Sequence, residues 1–143
     1  MSHPIMFDDA DAALQRIREI SLAFPGAAER VSHGRPNFFT TKTFCYYGGS
    51  ERGDHVGARH DTAILFRPDP ADEPALRQDG RFWEPAYLWP AGWLGVDLAA
   101  AGGVDRGGVD WDEVAELIDA SYRVTAPKRL VRELDALSGR GSG

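Results

Sequence analysis

The chain has 143 residues, the length of one ordinary domain, and a domain of that size buries roughly 68–70% of its unfolded surface without help from disulfides or metals. Its 31 Phe, Ile, Leu and Val residues exclude a disordered polymer, and its one cysteine, Cys45, excludes an internal disulfide framework or a cysteine-based zinc cluster. The net charge of −6 is uneven, with residues 1–67 balanced, residues 68–120 at −9 and residues 121–143 at +3, which excludes a chain-wide basic footprint and leaves only a local one for nucleic acid.

A first helix is expected from about Asp8 to Ala23. Ala10, Ala13, Leu14, Ile17, Ile20 and Phe24 recur at helical spacing, and Asp8, Asp9 and Asp11 stand in its first turn, where negative charge suits the helix dipole. Phe24-Pro25-Gly26 stops it, because proline disfavours helix at the residue before it. Strands are expected over Glu29–Ser32, Asn37–Thr41, Thr43–Tyr47 and Thr62–Arg67, segments rich in aromatic and β-branched residues. His33-Gly34-Arg35-Pro36 reads as a turn, and Gly48–Gly53 as a polar loop that makes an antiparallel hairpin of the later strands.

Pro68-Asp69-Pro70 breaks the chain, and Asp72 caps a short helix through Arg77. Arg81–Leu88 reads as extended or irregular. In Trp93–Leu98, the alternation of Leu94, Val96 and Leu98 with Trp93, Gly95 and Asp97 predicts a strand with one buried face. Asp110 and Glu113 have capping-box spacing, with Val109 and Val114 placed as a hydrophobic staple. The helix they open turns Trp111, Val114, Leu117, Ile118 and Ser121 inward, and Ser121 is small enough to let it approach the strand at Trp93. Thr125-Ala126-Pro127 interrupts it, and a last helix runs to about Leu137. Residues 1–138 read as one domain and residues 139–143 as a disordered tail. Strands without regular helical crossovers predict an α+β fold, a two-layer structure with a twisted antiparallel sheet and helices packed on one face. Leu14, Ile17, Ile20, Ile64, Phe66, Leu94, Val96, Leu117 and Ile118 are predicted to share its core.

Chemistry-bearing motifs are sparse. His55 and His60 have the side chains of a zinc or nickel site, but their loop spacing does not fix tetrahedral geometry, so neither a metal nor a cofactor is expected. Ser32 and His33 are adjacent and point to opposite faces of a strand, a poor nucleophile–base pair. Gly48–Gly53 lacks the Gly-Lys-Ser/Thr of a phosphate loop. Cys45, between Phe44 and Tyr46, reads as a small buried hydrophobe. No acid–base or nucleophile pair stands out, and a non-enzymatic protein is expected. The longest charge-free run, Pro85–Val96, is twelve residues, short of the about 20 that span a bilayer. No signal-peptide pattern is visible at Met1-Ser2-His3-Pro4, so the cytoplasm is the expected location.

Read in order, the chain carries Phe24-Pro25-Gly26-Ala27, Ser32-His33-Gly34-Arg35-Pro36-Asn37-Phe38, Lys42-Thr43-Phe44, Phe66-Arg67-Pro68-Asp69-Pro70, Phe82-Trp83-Glu84-Pro85-Ala86-Tyr87-Leu88, Gly92-Trp93-Leu94-Gly95-Val96 and Ser121-Tyr122-Arg123 with Lys128. This ordered set resembles the MmcQ/YjbR family, small bacterial proteins described as DNA-binding with a double-wing motif. The resemblance covers about residues 10–130. It implies an α+β fold related to the frataxin-like and secretion-chaperone-like folds, and a DNA-binding role. The family's tail after Ser-Tyr-Arg tends to be rich in lysine, whereas here Lys128-Arg129-Leu130-Val131-Arg132 continues as an amphipathic helix.

Two functions follow as expectations. In the first, Arg35, Lys42, Arg123, Lys128, Arg129 and Arg132 meet the backbone phosphates of DNA, weakly and without sequence preference, with the Gly48–Gly53 loop as a wing. In the second, Trp83, Tyr87, Trp93 and Tyr122 line a pocket for a small molecule or peptide, and Arg35 or Lys42 receives an anionic group. No membrane partner is expected, and a monomer is the default.

Overall fold

The computed structural model describes residues 7–53, 58–99 and 109–142. Helix α1 (Ala12–Leu22) begins at Asp11, whose carboxylate accepts the Ala13 N–H at 2.9 Å and, on its other oxygen, the Tyr47 hydroxyl. The start expected at Asp8 is therefore too early. Asp8 closes a separate turn on the Ala10 N–H, and the first turn of α1 itself holds no acidic residue.

Strands β1 (Ala28–Ser32), β2 (Arg35–Phe39), β3 (Thr43–Ser50), β4 (Arg59–Phe66), β5 (Phe82–Trp83) and β6 (Leu94–Asp97) form one sheet in the order β1-β2-β3-β4-β6-β5, and every neighbouring pair is antiparallel. With the helices this is the expected α+β architecture. The β1–β2 turn is tighter than the sequence implied. Only His33 (φ 53°) and Gly34 (φ 78°) form it, and Ser32 already pairs with Arg35. Positive φ at both central residues matches the twist of the flanking strands, so Arg35 and Pro36 belong to β2. Strand β3 runs three residues beyond its expected end, through Gly48, Gly49 and Ser50. The register shifts between Tyr47 and Gly49, and Gly48 takes φ 83° there. The glycines thus carry a bulge inside the strand rather than the loop they suggested.

Cross-strand partners share a face. Phe38, Cys45, Phe66 and Leu94 form one row across the sheet, and Tyr47, Ile64, Val96 and Phe82 the next. These rows meet Leu14 and Ile17 of α1, and Val114, Ile118 and Tyr122 of helix α3 (Trp111–Thr125). All nine predicted core residues belong to this cluster, with Ile20 and Leu117 at its partly buried margin.

The other helices carry small corrections. Helix α2 (Glu73–Gln78) gets no side-chain cap from Asp72, which is itself helical; Asp69 accepts the Ala71, Asp72 and Glu73 N–H groups instead. At the start of α3, Asp110 accepts the Glu113 N–H at 3.1 Å, but the Glu113 carboxylate turns away to Arg81 at 2.9 Å, so the box is half made. Ser121 brings α3 onto β3 and the end of β4, not onto Trp93. Its hydroxyl donates to the Phe44 carbonyl at 2.5 Å and accepts the Arg67 N–H at 2.8 Å. Helix α4 (Lys128–Ser142) continues past Leu137 into residues 139–142 of the expected disordered tail. No proline follows Leu137, and glycine lowers helix stability by about 1 kcal/mol without ending a helix. Among the described residues no helix is long and apolar enough to cross a membrane.

Candidate functional site

The sheet face away from α1 and α3 is built on one register row: Arg30, Asn37, Tyr46, Leu65, Gly95 and Trp83, one residue from each strand. Glycines let large side chains lie flat along this face. A Cβ at Gly95 would come within 2.6 Å of the Trp83 ring, one at Gly49 within 2.7 Å of Leu65, and one at Gly48 would collide with Arg35 Nη1. Trp83 stacks on His60 with ring centroids 4.1 Å apart, while His60 Nδ1 lies 2.7 Å from Asp97 and Nε2 3.2 Å from Glu51. Both faces of β6 are consequently covered, since Gly95 lies under Trp83 and Trp93 packs edge-on to Tyr46. The single buried face expected for that strand is thereby corrected.

Residues 84–92 cross this side as a strap. The Arg52 N–H reaches the Glu84 carbonyl and the Ala86 N–H the Ser50 carbonyl, each at 2.8 Å, and the Arg52 guanidinium lies 3.7 Å above the Trp89 ring. Between the strap and the His33–Gly34 turn runs a groove of about 530 Å³. Tyr46, Gly48, Gly49 and Leu65 line it, with Arg35 and Leu88 beside them. Tyr87, at its rim, is 96% exposed and holds φ 68°. A non-glycine residue in that region costs on the order of 1–3 kcal/mol.

The four aromatics expected to share a pocket are not brought together. Tyr122 is fully buried on the opposite, helical side. It stacks on Phe24 at 4.7 Å and donates its hydroxyl to the Pro25 carbonyl at 2.7 Å. Burial, the larger cause, and the nearby Glu133 hold that phenol above its ordinary range. Trp83 and Trp93 serve as packing on the outer face, and of the four only Tyr87 lines the groove. The groove's own residues have one sequence signal, the glycine pair inside a strand-like run, which marks a bulge or a close approach.

The basic residues divide into two sets. Arg35 is 7% exposed and bonds Asp61 at 3.0 Å, and Arg123 is held by Asp119 at 2.6 Å and Asp135 at 2.7 Å. Arg35 is thus buried at the groove, away from the sheet's outer edge, and Arg123 is matched by two carboxylates, so neither lies open to a DNA backbone. Lys42, Lys128, Arg129 and Arg132 are exposed and have no carboxylate partner among the described residues. Arg30 and Arg67, both outside the expected set of phosphate contacts, share that lack.

These unpaired cations gather at one end of the sheet. Lys42 sits in the β2–β3 turn beside the Ala28–Phe39 pair. A Cβ at Gly26 would stand 2.9 Å from Leu130 of α4, which places the first turn of α4 against the same segment. Arg67 follows Phe66 and is tied to α3 through Ser121. His55, half of the candidate metal pair, lies outside the described residues. Among those described, no three His, Cys, Asp or Glu side chains are disposed to hold a metal ion.

The sequence model of the YjbR family matches residues 22–124. The chain belongs to the YjbR family. A crystal structure of a protein from Pseudomonas syringae has the same fold, with a TM-score of 0.54 at 15% identity over 78% of this chain and 97% of that one. No curated protein matches the chain.

The YjbR match runs from the end of α1 to the end of α3, and so takes in the whole sheet, the groove and the strap. Arg35, Lys42 and Arg123 fall inside it, whereas Lys128, Arg129 and Arg132 lie on α4 beyond it.

Proposed function

We propose that this YjbR-family protein is a binding protein rather than an enzyme, and that it holds duplex DNA weakly and without sequence preference through the backbone phosphates. The observation behind this reading is the segregation of its cations. Arg16, Arg18, Arg35, Arg52, Arg59, Arg77, Arg81 and Arg123 are each tied to a carboxylate. Among the described residues, the cations left without a carboxylate lie toward the sheet end that carries the β2–β3 turn and the start of α4. Lys128 and Arg132 are four residues apart and Arg129 and Arg132 three, so one helix face presents all three to a phosphate track. Arg35 and Arg123, expected among the contacts, are engaged internally and drop out of the set.

The acidic block from residue 68 to 120 limits affinity, but charges farther off than about 10 Å are largely screened at 0.1 M salt. Non-specific binding then lies at about 10⁻⁴ to 10⁻⁶ M. The test is fluorescence anisotropy with a long labelled duplex over a salt series. Changing Lys128, Arg129 and Arg132 together to Gln is expected to lower the log–log salt slope by about 2.7, at about 0.9 per lost contact. Absence of binding by the unaltered protein at low salt, or an unchanged slope in the triple variant, would overturn the reading.

A further inference from the structure

We propose that the groove on the helix-free face binds a small carboxylic acid with a flat apolar body, its carboxylate on Arg35. This site is independent of the DNA reading. Arg35 stands at one end of β2, and the unpaired cations gather at the other, about 13 Å away at 3.3 Å per strand residue.

The first argument is charge. Asp61 Oδ1 accepts from Arg35 Nη2 at 3.0 Å and from Arg59 Nε at 2.6 Å, so among the described residues two guanidinium groups share this one carboxylate. The second is an open donor edge. Only Nη2 of Arg35 makes a side-chain bond among the described residues, and none of the Arg35 nitrogens is both buried and unpartnered, so the guanidinium keeps access to the groove it lines. A charge-assisted bond from a guanidinium to a carboxylate is among the stronger hydrogen bonds. The guanidinium is also fixed in place, since Nη1 rests against the backbone at Gly48, where no side chain other than hydrogen fits.

The third argument is shape. The groove encloses about 530 Å³, within the range of small-molecule sites. Its floor is the Tyr46 ring and Leu65, flattened by the glycine pair, and Leu88 closes the side opposite the His33–Gly34 turn. A planar apolar body therefore fits better than a branched or sugar-like one. Tyr87 stands exposed at the rim, a ring free to settle over a bound planar ligand.

The test uses sodium 2-naphthoate as the probe and 2-naphthamide, its neutral isostere, followed by amide chemical-shift titration of the full chain. Saturable shifts at Gly48, Gly49 and Leu65 are expected with the acid, and binding of the amide weaker by about tenfold or more. Tyr87→Ala is expected to weaken naphthoate while leaving the spectrum of the core unchanged, because the side chain touches solvent almost entirely. Arg35→Gln is expected to abolish the preference for acid over amide. Should that variant not fold, the acid–amide comparison on the unaltered chain and the Tyr87→Ala result decide. Equal affinity for acid and amide would overturn the proposal, as would the absence of saturable groove shifts at millimolar probe. Shifts confined to Lys42 and the start of α4 would do so by showing charge attraction at the basic end alone. Groove shifts that appear on concentrating the protein without probe would assign the face to a second copy of the chain and overturn it too.

Discussion

Ser121 accepts the Arg67 N–H at 2.8 Å through the hydroxyl that also donates to the Phe44 carbonyl. The last β3–β4 pair at this end is Cys45 with Phe66, so both backbone groups lie just beyond the ladder. One hydroxyl on α3 completes them and ties helix to sheet. Ser121→Ala leaves both unmet in a fully buried place, and is expected to lower stability by about 1–3 kcal/mol. A urea midpoint equal to that of the unaltered chain would count against this role.

Ile118 is fully buried where α3 faces the central strands. Its truncation to Ala is expected to cost about 2–5 kcal/mol through lost contact and a residual cavity. Leu137 on α4 is 49% exposed, and the same change there should stay within about 0.5 kcal/mol. Thermal melts of both variants check the contrast.

Gly95 lies beneath the Trp83 ring, and a methyl group there would sit 2.6 Å from ring carbon. Gly95→Ala is expected to destabilise by about 1–3 kcal/mol and to open the Trp83–His60 stack, read as a change in near-ultraviolet dichroism. A methyl group at Gly80 would meet nothing within 4 Å. There, Gly→Ala should stabilise by about 0.4–1 kcal/mol by restricting the unfolded chain.

Burial pushes the Cys45 thiol up from 9.0 to about 12, the neighbouring Ser21 hydroxyl opposing it more weakly. Desolvation likewise raises Tyr47, helped by its bond to Asp11. Above about pH 9 the unfolded chain releases the Cys45 proton and the folded chain keeps it. The unfolded state then binds fewer protons, and stability falls as pH rises. Urea unfolding between about pH 8 and pH 11 should show this decline, and Cys45→Ala should flatten it in part, with Tyr47 supplying the rest. An identical slope in the variant would show that the thiol does not titrate in this way.

Much of the framework is legible along the chain because it rests on local periodicity. The spacing of Leu14 and Ile17, of Leu94 and Val96, and of Val114 and Ile118 shows which side of each element is buried. What is not legible depends on residues that meet from afar. Several aspartates precede α1, and the one that caps it is the one Tyr47 reaches, 36 residues away. Pro36 looks like turn chemistry, yet the left-handed pair His33 and Gly34 completes the reversal before it. Tyr122 reads equally as pocket or core until Pro25, 97 residues back, supplies its acceptor. The groove is the extreme case. Arg35 and Leu65, which line it, lie over Gly48 and Gly49, and no spacing within one element encodes those two meetings. Nor does the count of arginines reveal which of them carboxylates occupy.

The sheet order has a consequence for the chain as it is made. Strands β2, β3 and β4 each pair with the preceding strand, so that much of the sheet forms from hairpins as soon as Phe66 has emerged. Its apolar side then has α1 to cover it but not α3, which is complete only at Thr125. At about 5–20 residues per second, that interval lasts on the order of 3–12 s on the ribosome. For those seconds Phe44, Ile64 and Phe66 face solvent on the side that Ile118 and Tyr122 later close, a window for a nascent-chain holdase to act.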